Sequence, residues 1–257
     1  MPQPHAPPGR RLYAIGDIHG RLDLLERLMF TIRKDNARRE PASTTIVVLG
    51  DIIDRGPQSA EIVRRFQRYT EANDRFIVLR GNHEEMMLQA LSGDLRALQA
   101  WMRFGGDETL KSWGVPVEAL ASRPPREMAA AAARAVSQLD LDWLAARPLS
   151  YRAGDYLFVH AGVRPGAPLD RQDPQDLLWG SRDFTDSDAD HGAVIVHGHT
   201  IEEDGPVFRS NRIGIDTGAY RSGRLTALGL EDDDQWTLSA ILTRGVDREQ
   251  PVSAWAS

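Results

Sequence analysis

The sequence contains no cysteine among its 257 residues, which excludes disulfide bonds and thiolate metal ligands. Any metal ion bound by this chain must therefore be held by nitrogen and oxygen donors. The absence of cysteine is compatible with a reducing, cytoplasmic location, and that is the location we predict.

The sequence also lacks a long apolar run and an excess of positive charge. No stretch approaches the ~20 apolar residues that a transmembrane helix requires. The proline-rich start, MPQPHAPPGRR, has no apolar region of the kind found in signal peptides. The formal net charge of −6 gives no basis for general binding of nucleic acid or anionic membranes. We therefore expect neither partner, and no sequence feature indicates an oligomeric state.

A chain of this length with 41% hydrophobic residues is suited to one large α/β domain. Residues 1–10 are predicted to be a disordered lead-in and residues 245–257 a C-terminal tail. The domain between them, 11–244, is predicted to carry a helical insertion at about 93–148. Its first part alternates strand and helix patterns in the order β-α-β-α-β, which indicates a mostly parallel sheet.

The apolar strands of this sequence end in similar polar residues. The first three strands end in GDIHG (16–20), GDIIDRG (50–56) and LRGNHE (79–84). Two later strands end in VHAG (159–162) and VHGHT (196–200). In an open α/β sheet, ligands bind beyond the carboxyl ends of the strands. We therefore expect these five segments to converge on one crevice.

The polar residues of these segments are typical ligands of manganese, iron or zinc. Asp17 and His19 are spaced to face one ion, and Asp51 is placed to bridge two ions. The second ion would be completed by Asn82, His160 and His199. Each residue alone is more often part of a hydrogen-bonded turn or a core histidine. Together they would bury several unpaired polar groups at one sheet edge, which is costly without a bound cation.

The ordered series GDIHG, GDIIDRG, RGNHE, HAG and GHT resembles the phosphoprotein phosphatases within the calcineurin-like metallophosphoesterases. The bacterial and bacteriophage lambda phosphatase-like branch is the nearest likeness, and it extends from about Arg11 to Leu230. The resemblance implies an α/β sandwich of two central mixed sheets flanked by helices. It also implies two divalent metal ions, commonly Mn²⁺, with iron and zinc as alternatives.

The resemblance further implies roles for residues beside the metal ligands. His83 would be the general acid that protonates the leaving alkoxide, and Asp54 would orient its ring. Arg55 and Arg80 would bind phosphate oxygens, with Arg182 as a third phosphate contact. The implied mechanism is direct in-line attack by a metal-bridged hydroxide without a phosphoenzyme.

The implied function is metal-dependent phosphomonoester hydrolysis, by a serine/threonine or dual-specificity protein phosphatase that acts on phosphoproteins or small phosphoesters. The alternative is a hydrolase of dinucleoside polyphosphates built on the same site. That branch often has glutamine at the position of His19, so the histidine favours the phosphatase. A non-catalytic binding protein would be expected to have lost ligands, and none of the six is missing. His197 is expected to lie outside the set of metal ligands.

Overall fold

The computed structural model describes residues 3–242, in which ten strands form two five-stranded sheets. The strands are β1 (Arg10–Ile15), β2 (Ser43–Val48), β3 (Phe76–Val78), β4 (Ser150–Ala153), β5 (Tyr156–Val159), β6 (Val194–His197), β7 (Val207–Phe208), β8 (Arg212–Gly214), β9 (Arg224–Glu231) and β10 (Asp234–Ile241). The α-helices are α1 (Leu22–Asn36), α2 (Ser59–Ala72), α3 (Asn82–Leu91), α4 (Leu95–Trp101), α5 (Asp107–Ser112), α6 (Val117–Leu120), α7 (Pro125–Ala135), α8 (Gln138–Ala145), α9 (Pro174–Trp179) and α10 (Ala219–Ser222). A π-helical turn, Met102–Gly106, joins α4 to α5.

The first sheet has the strand order β10-β9-β1-β2-β3, with β1, β2 and β3 parallel and β9 antiparallel to β1. Ile15 pairs with Val48, and Val48 pairs with Val78. Because the three parallel strands end in register, the segments that follow them leave the sheet at one edge. This register brings the first three polar segments together.

The second sheet has the order β4-β5-β6-β8-β7, in which β5, β6 and β8 run parallel. Phe158 pairs with Val196, so the two histidine-bearing segments that follow β5 and β6 are also neighbours. One core cluster contains buried residues of both sheets, including Leu12 and Val47 from the first and Phe158 and Val196 from the second. The two sheets therefore pack face to face, and the predicted sandwich of mixed sheets flanked by helices is confirmed.

The chain between α3 and β4 contains α4 to α8. That this region, about 93–148, is an insertion into the domain stays a prediction. Trp101, Leu110 and Trp113 from this region are buried in the same apolar cluster as α1, α2 and α3. Burial of large aromatic side chains contributes about 2–3 kcal/mol each through the hydrophobic effect. The insertion is thus packed firmly beside the β2–α2 segment.

The structure differs from the sequence prediction at the start of the chain. Residues 3–9 lie against the two sheets, and Ala6 is buried. The amide of Ala6 donates to the carbonyl of Asp232 at 2.7 Å, and the carbonyl of His5 accepts from the amide of Asp155 at 3.0 Å. These long-range partners hold a segment whose proline content predicts disorder. The predicted tail, 245–257, lies outside the described residues.

The acidic stretch between β9 and β10 forms the tip of a hairpin, in which Glu231 pairs with Asp234.

Within residues 3–242, none of the helices has the length and apolar character needed to cross a bilayer.

Candidate active site

The polar strand-end segments have an unusual backbone conformation. Five of their non-glycine residues have φ values between 47° and 71°: His19, Asp51, Asp54, Arg55 and His199. L-amino acids rarely adopt this left-handed region, and they remain there only when the surrounding structure holds them. Such strain clusters at functional sites, and here it accompanies the convergence of the five segments.

One group of potential metal ligands forms where four strand ends meet. Asn82 Oδ1 lies 2.8 Å from His160 Nε2 and 3.1 Å from His199 Nδ1. Asp51 Oδ1 is 3.4 Å from the same His160 nitrogen. His160 Nδ1 is 2.9 Å from the carbonyl oxygen of Leu49, to which it donates its proton. The unprotonated Nε2 is therefore directed at the group.

A second group of donors includes His19. Its Nδ1 donates to the carbonyl oxygen of Ile53 at 2.9 Å, so its Nε2 faces Asp51 Oδ2 at 3.6 Å. Asp17 is buried, and its carboxylate accepts the amide of His199 at 3.1 Å. The three close donors around His19 are His19, Asp51 and His83, and they do not include Asp17. Asp51 thus presents one oxygen to each group. Its role as a bridging ligand remains a proposal.

The protonation of these donors fits a cation site. Burial lowers the pKa of His19 to about 3 and the pKa of His199 to about 4. Both rings are therefore neutral, which is the form that binds metal ions. Burial raises the pKa of Asp17, and the charges of Asp216 and Asp51 raise it further. Carboxylates crowded in this way are costly unless a cation compensates them, so the residues fit divalent ions.

His83 and Asp54 form a close pair beside the donors. His83 Nδ1 lies 2.6 Å from Asp54 Oδ2, while its Nε2 lies 3.1 Å from Arg55 Nη2 and 3.8 Å from Asp51 Oδ2. Burial lowers the pKa of His83, but the charges of Asp51 and Asp54 outweigh burial and raise it. Because a guanidinium can only donate, Nε2 accepts from Arg55 in this arrangement, and the raised pKa favours a proton on Nε2 when Arg55 instead donates to a bound oxyanion.

Arg55 presents its guanidinium to the same place. Its Nη1 lies 3.1 Å from His19 Nε2, and its guanidinium carbon lies 4.4 Å from the centre of the Tyr220 ring. The Tyr220 ring also meets the His19 ring edge to face, with centres 5.3 Å apart. A guanidinium held over an aromatic ring is preorganised for bidentate binding of an oxyanion.

The other two predicted phosphate contacts are placed differently. Arg80 Nε lies 3.5 Å from Glu85 Oε2, and its Nη1 donates to the carbonyl of Ala145 at 3.1 Å. Arg182 is exposed in the turn after α9. Their phosphate-binding roles remain predictions.

His197 has partners of its own. It is fully buried, with Nδ1 3.0 Å from the carbonyl oxygen of Gly198 and Nε2 3.4 Å from Arg212 Nη1. Among the described residues, two groups of three side chains are close enough to hold one ion, His19–Asp51–His83 and Asp51–His160–His199, and neither includes His197.

Glu84 supports the site in a way that the sequence motif does not reveal. Its carboxylate accepts the backbone amides of Gly81 at 2.7 Å and of Asp51 and Ile52 at 2.9 Å each. Glu84 is the third residue of α3, a position from which glutamate often caps its own helix. That pattern predicts the bond to Gly81. The bonds to the β2–α2 segment depend on the tertiary fold.

No sequence motif indicates a role for Trp101 or Thr109. Trp101 Nε1 donates to Asp54 Oδ2 at 2.8 Å, and Thr109 Oγ1 donates to Asp54 Oδ1 at 2.5 Å. Both side chains come from the helical insertion, and the sequence spacing gave no signal that connects them to Asp54.

The fold is an α/β sandwich with two overlapping sets of nitrogen and oxygen donors at its strand ends. A histidine–aspartate pair and an arginine lie beside these donors. This combination defines a metallophosphoesterase. The chain belongs to the calcineurin-like phosphoesterase family, whose family model matches residues 10–221.

Two curated relatives illustrate the range of this family. The chain is 33% identical over 165 residues to a bis(5'-nucleosyl)-tetraphosphatase, symmetrical, of Paracidovorax citrulli, covering 62% of this chain and 46% of that protein. It is 29% identical over 229 residues to serine/threonine-protein phosphatase 1 of Salmonella typhimurium, covering 84% of this chain and 90% of that protein. The chain thus spans about half the length of the tetraphosphatase relatives that it matches.

Solved structures share the fold. A structure provisionally described as a diadenosine tetraphosphatase has a TM-score of 0.59 at 20% identity, covering 90% of this chain and 93% of that chain. A protein serine/threonine phosphatase from Saccharomyces cerevisiae has a TM-score of 0.56 at 16% identity, covering 93% of this chain and 82% of that chain.

Proposed function

We propose that this protein is a metal-dependent phosphomonoester hydrolase that dephosphorylates serine and threonine residues of proteins. The observation that carries the proposal is the position of His83, whose Nε2 lies 3.1 Å from Arg55 Nη2 while its Nδ1 is bonded to Asp54. Arg55 donates to Nε2 here, and in this proposal it turns to the phosphate when substrate binds, so that Nε2 can carry the proton. A phosphomonoester whose phosphate binds Arg55 would have its ester oxygen within reach of His83.

In this proposal, Asp17 and His19 would hold one divalent ion. Asn82, His160 and His199 would hold the other, and both ions would share Asp51. When bound, the two ions supply Lewis-acid activation of water and of the phosphoryl oxygens. Mn²⁺ is the ion that we propose, with iron and zinc compatible with the same donors.

The protein residues then perform binding and proton transfer. Arg55 binds two phosphoryl oxygens and orients the phosphorus for in-line attack from the side opposite the ester oxygen. His83 donates its Nε2 proton to the departing alkoxide, and Asp54 stabilises the charged ring until the proton is transferred. Arg80 and Arg182 are proposed as further contacts to the phosphate or to the substrate around it.

Two observations favour a protein substrate. The similarity to the Salmonella phosphatase extends over 90% of that protein, so it includes the helical insertion and the second sheet. His19 stands where the dinucleotide-cleaving branch often has glutamine, and its Nε2 faces Asp51 Oδ2. A dual-specificity phosphatase would also hydrolyse phosphotyrosine, and a phosphotyrosine peptide distinguishes the two cases.

Hydrolysis of dinucleoside polyphosphates is the second candidate function. It is supported by symmetrical tetraphosphatase relatives from several bacteria, which are 28–34% identical to this chain over the matched residues. The same donors and the same His83 could act on a phosphoanhydride. Location in the cytoplasm and a lack of nucleic-acid or membrane partners remain proposals.

A comparison of substrates on one preparation separates the candidates. The Mn²⁺-loaded protein is assayed with a phosphoserine/phosphothreonine peptide, a phosphotyrosine peptide and diadenosine tetraphosphate, each with and without a chelator. We expect the highest kcat/KM with the phosphoserine/phosphothreonine peptide and loss of activity with the chelator. Higher kcat/KM with the dinucleotide would favour the second candidate. Activity of His83→Asn equal to that of the wild type with every substrate would contradict the proposed role of His83.

A further inference from the structure

The carboxylate of Asp54 is held by more than its histidine. Oδ2 accepts from both His83 Nδ1 at 2.6 Å and Trp101 Nε1 at 2.8 Å, and Oδ1 accepts from Thr109 Oγ1 at 2.5 Å. Asp54, Trp101 and Thr109 are all fully buried. Hydrogen bonds to a charged group in a buried setting are among the strongest in proteins.

The backbone of Asp54 is also held by the insertion. Its φ is 71°, and the next residue, Arg55, has φ 68°, so two successive residues are in the left-handed region. The amide of Asp54 donates to Thr109 Oγ1 at 2.8 Å, and the amide of Arg55 donates to the carbonyl of Gly105 at 3.2 Å. Thr109 therefore accepts from the backbone of Asp54 and donates to its side chain.

The glycines of the insertion make these contacts possible. Gly105 has φ 100°, and a Cβ there would lie 2.6 Å from the amide nitrogen of Arg55. A Cβ on Gly106 would lie 2.5 Å from the indole ring of Trp101. The chain between α4 and α5 can therefore lie directly on the Asp54–Arg55 backbone and on the Trp101 ring.

We infer that Trp101 and Thr109 are positioning residues for proton transfer by His83. Their bonds fix the Asp54 carboxylate, and the carboxylate in turn fixes the His83 ring with Nε2 towards the substrate site. The inference rests on the proposed general-acid role of His83. Outer hydrogen-bond partners of this kind affect activity by about 10–100-fold in other active sites, because small displacements of a reacting group are costly.

The test uses substrates that differ in their need for an acid. Departure of 2,4-dinitrophenolate needs little protonation, whereas departure of phenolate from phenyl phosphate depends on it. Thr109→Val removes the hydroxyl at nearly constant volume, and Trp101→Phe removes the indole N–H. We expect each variant to lower kcat about 10–100-fold for phenyl phosphate and less than about threefold for 2,4-dinitrophenyl phosphate. Thr109→Ser should restore most of the activity because it keeps the hydroxyl.

A matched control is available in the same insertion. Trp113 Nε1 donates to Asp140 Oδ2 at 3.1 Å, so Trp113→Phe removes the same kind of buried bond without contacting Asp54. We expect kcat of this variant to differ from that of the wild type by less than about twofold for both substrates. Equal losses on the two substrates in Thr109→Val and Trp101→Phe would indicate a merely structural role and overturn the inference. Selective loss on phenyl phosphate in His83→Asn alone would retain the proposed function and also overturn the inference.

A spectroscopic measurement tests the inference without any substrate. In the protein loaded with diamagnetic Zn²⁺, the Nδ1 proton of His83, identified by its loss in His83→Asn, should give a strongly downfield NMR signal because of its short bond to Asp54. We expect the signal to broaden or shift upfield in Thr109→Val and Trp101→Phe and to stay unchanged in Trp113→Phe. An unchanged signal in both insertion variants would contradict the inference whichever phosphoester the enzyme hydrolyses.

Discussion

Asn82 Oδ1 lies 2.8 Å from His160 Nε2, although the two residues are 78 positions apart in the chain. Asn82 begins α3 at the end of the first sheet's parallel strands, and His160 follows β5 of the second sheet. The candidate active site is therefore built across the two sheets. Asn82 and Asp51 of the first sheet meet His160 and His199 of the second, whereas His19, Asp51 and His83 all follow strands of the first sheet.

The shared position of Asp51 predicts a loss of metal in the Asp51→Asn variant. Asp51 presents Oδ1 to His160 and Oδ2 to His19, so the substitution removes charge from both donor groups. We expect metal affinity to fall by more than the ~10–100-fold that loss of an outer hydrogen-bond partner causes. Elemental analysis after dialysis measures the change, with Asp74→Asn as an exposed control. Wild-type metal content in Asp51→Asn would rule out the bridging role.

His83→Asn is expected to separate proton transfer from metal binding. The asparagine cannot donate a proton as an acid, whereas the six proposed metal ligands are unchanged. We expect kcat for a phosphoserine peptide to fall by about 10²–10⁴-fold. Metal content, measured on the same sample, should stay near that of the wild type. If the variant also loses its metal, His83 acts as a ligand rather than as the general acid.

The two arginines are expected to differ in phosphate binding. The Arg55 guanidinium contacts His19 and His83, whereas the Arg80 guanidinium contacts Glu85 and the Ala145 carbonyl. Arg55→Ala should weaken inhibition by inorganic phosphate about 10–100-fold, which corresponds to one or two charge-assisted hydrogen bonds. Arg80→Ala should weaken it less. Equal inhibition constants for the two variants would contradict this ranking.

The carboxylate of Glu84 is expected to be important for stability. In Glu84→Gln, one carboxylate oxygen becomes an NH2 group that faces either the backbone N–H groups of Gly81 and Asp51 or that of Ile52. We expect the free energy of unfolding to fall by about 2–3 kcal/mol, as measured by urea denaturation. Glu85→Gln, in the same helix turn, is the control and should cost less than about 1 kcal/mol. Equal stability of the two variants would show that the Glu84 bonds are dispensable.

Asp35 is expected to make the fold sensitive to acid. Tyr13 donates to its carboxylate at 2.6 Å and Arg39 at 3.0 Å. Burial raises the pKa of Asp35, but these bonds outweigh burial and hold the pKa below 3.8. Because the folded-state pKa is the lower one, ionised Asp35 stabilises the fold above pH 3.8, and the stabilisation is lost as the pH falls through the folded pKa.

The comparison of wild type with Asp35→Asn measures this pH effect. At neutral pH the variant should be less stable by about 1–3 kcal/mol, and the difference should shrink below pH ~3.8. Asp74→Asn, at a carboxylate whose side chain is 95% exposed, should follow the wild type at every pH. A constant difference between wild type and Asp35→Asn from pH 7 to pH 2 would contradict the assignment.

Much of the candidate site could be predicted because local rules were sufficient. The runs before Asp17, Asp51 and Asn82 are short, apolar and followed by helix patterns, so their strands and the edge at which they end follow from the sequence. The short strands β4 and β7 were not predicted. They lie at the two edges of the second sheet, where one neighbouring strand is enough and the pattern in the sequence is weak.

Local sequence is enough to indicate the class of chemistry. The kinds of side chain, their order and their positions after apolar strands indicate nitrogen and oxygen metal ligands, a histidine–aspartate pair and arginines that we propose bind phosphate. Which of these groups are in contact follows from the tertiary structure alone. Arg80 pairs with Glu85, Trp101 and Thr109 hold Asp54, and residues 3–9 pack against both sheets. These contacts join segments that are distant in the chain, and their partners are selected by packing and hydrogen-bond geometry rather than by local sequence preference.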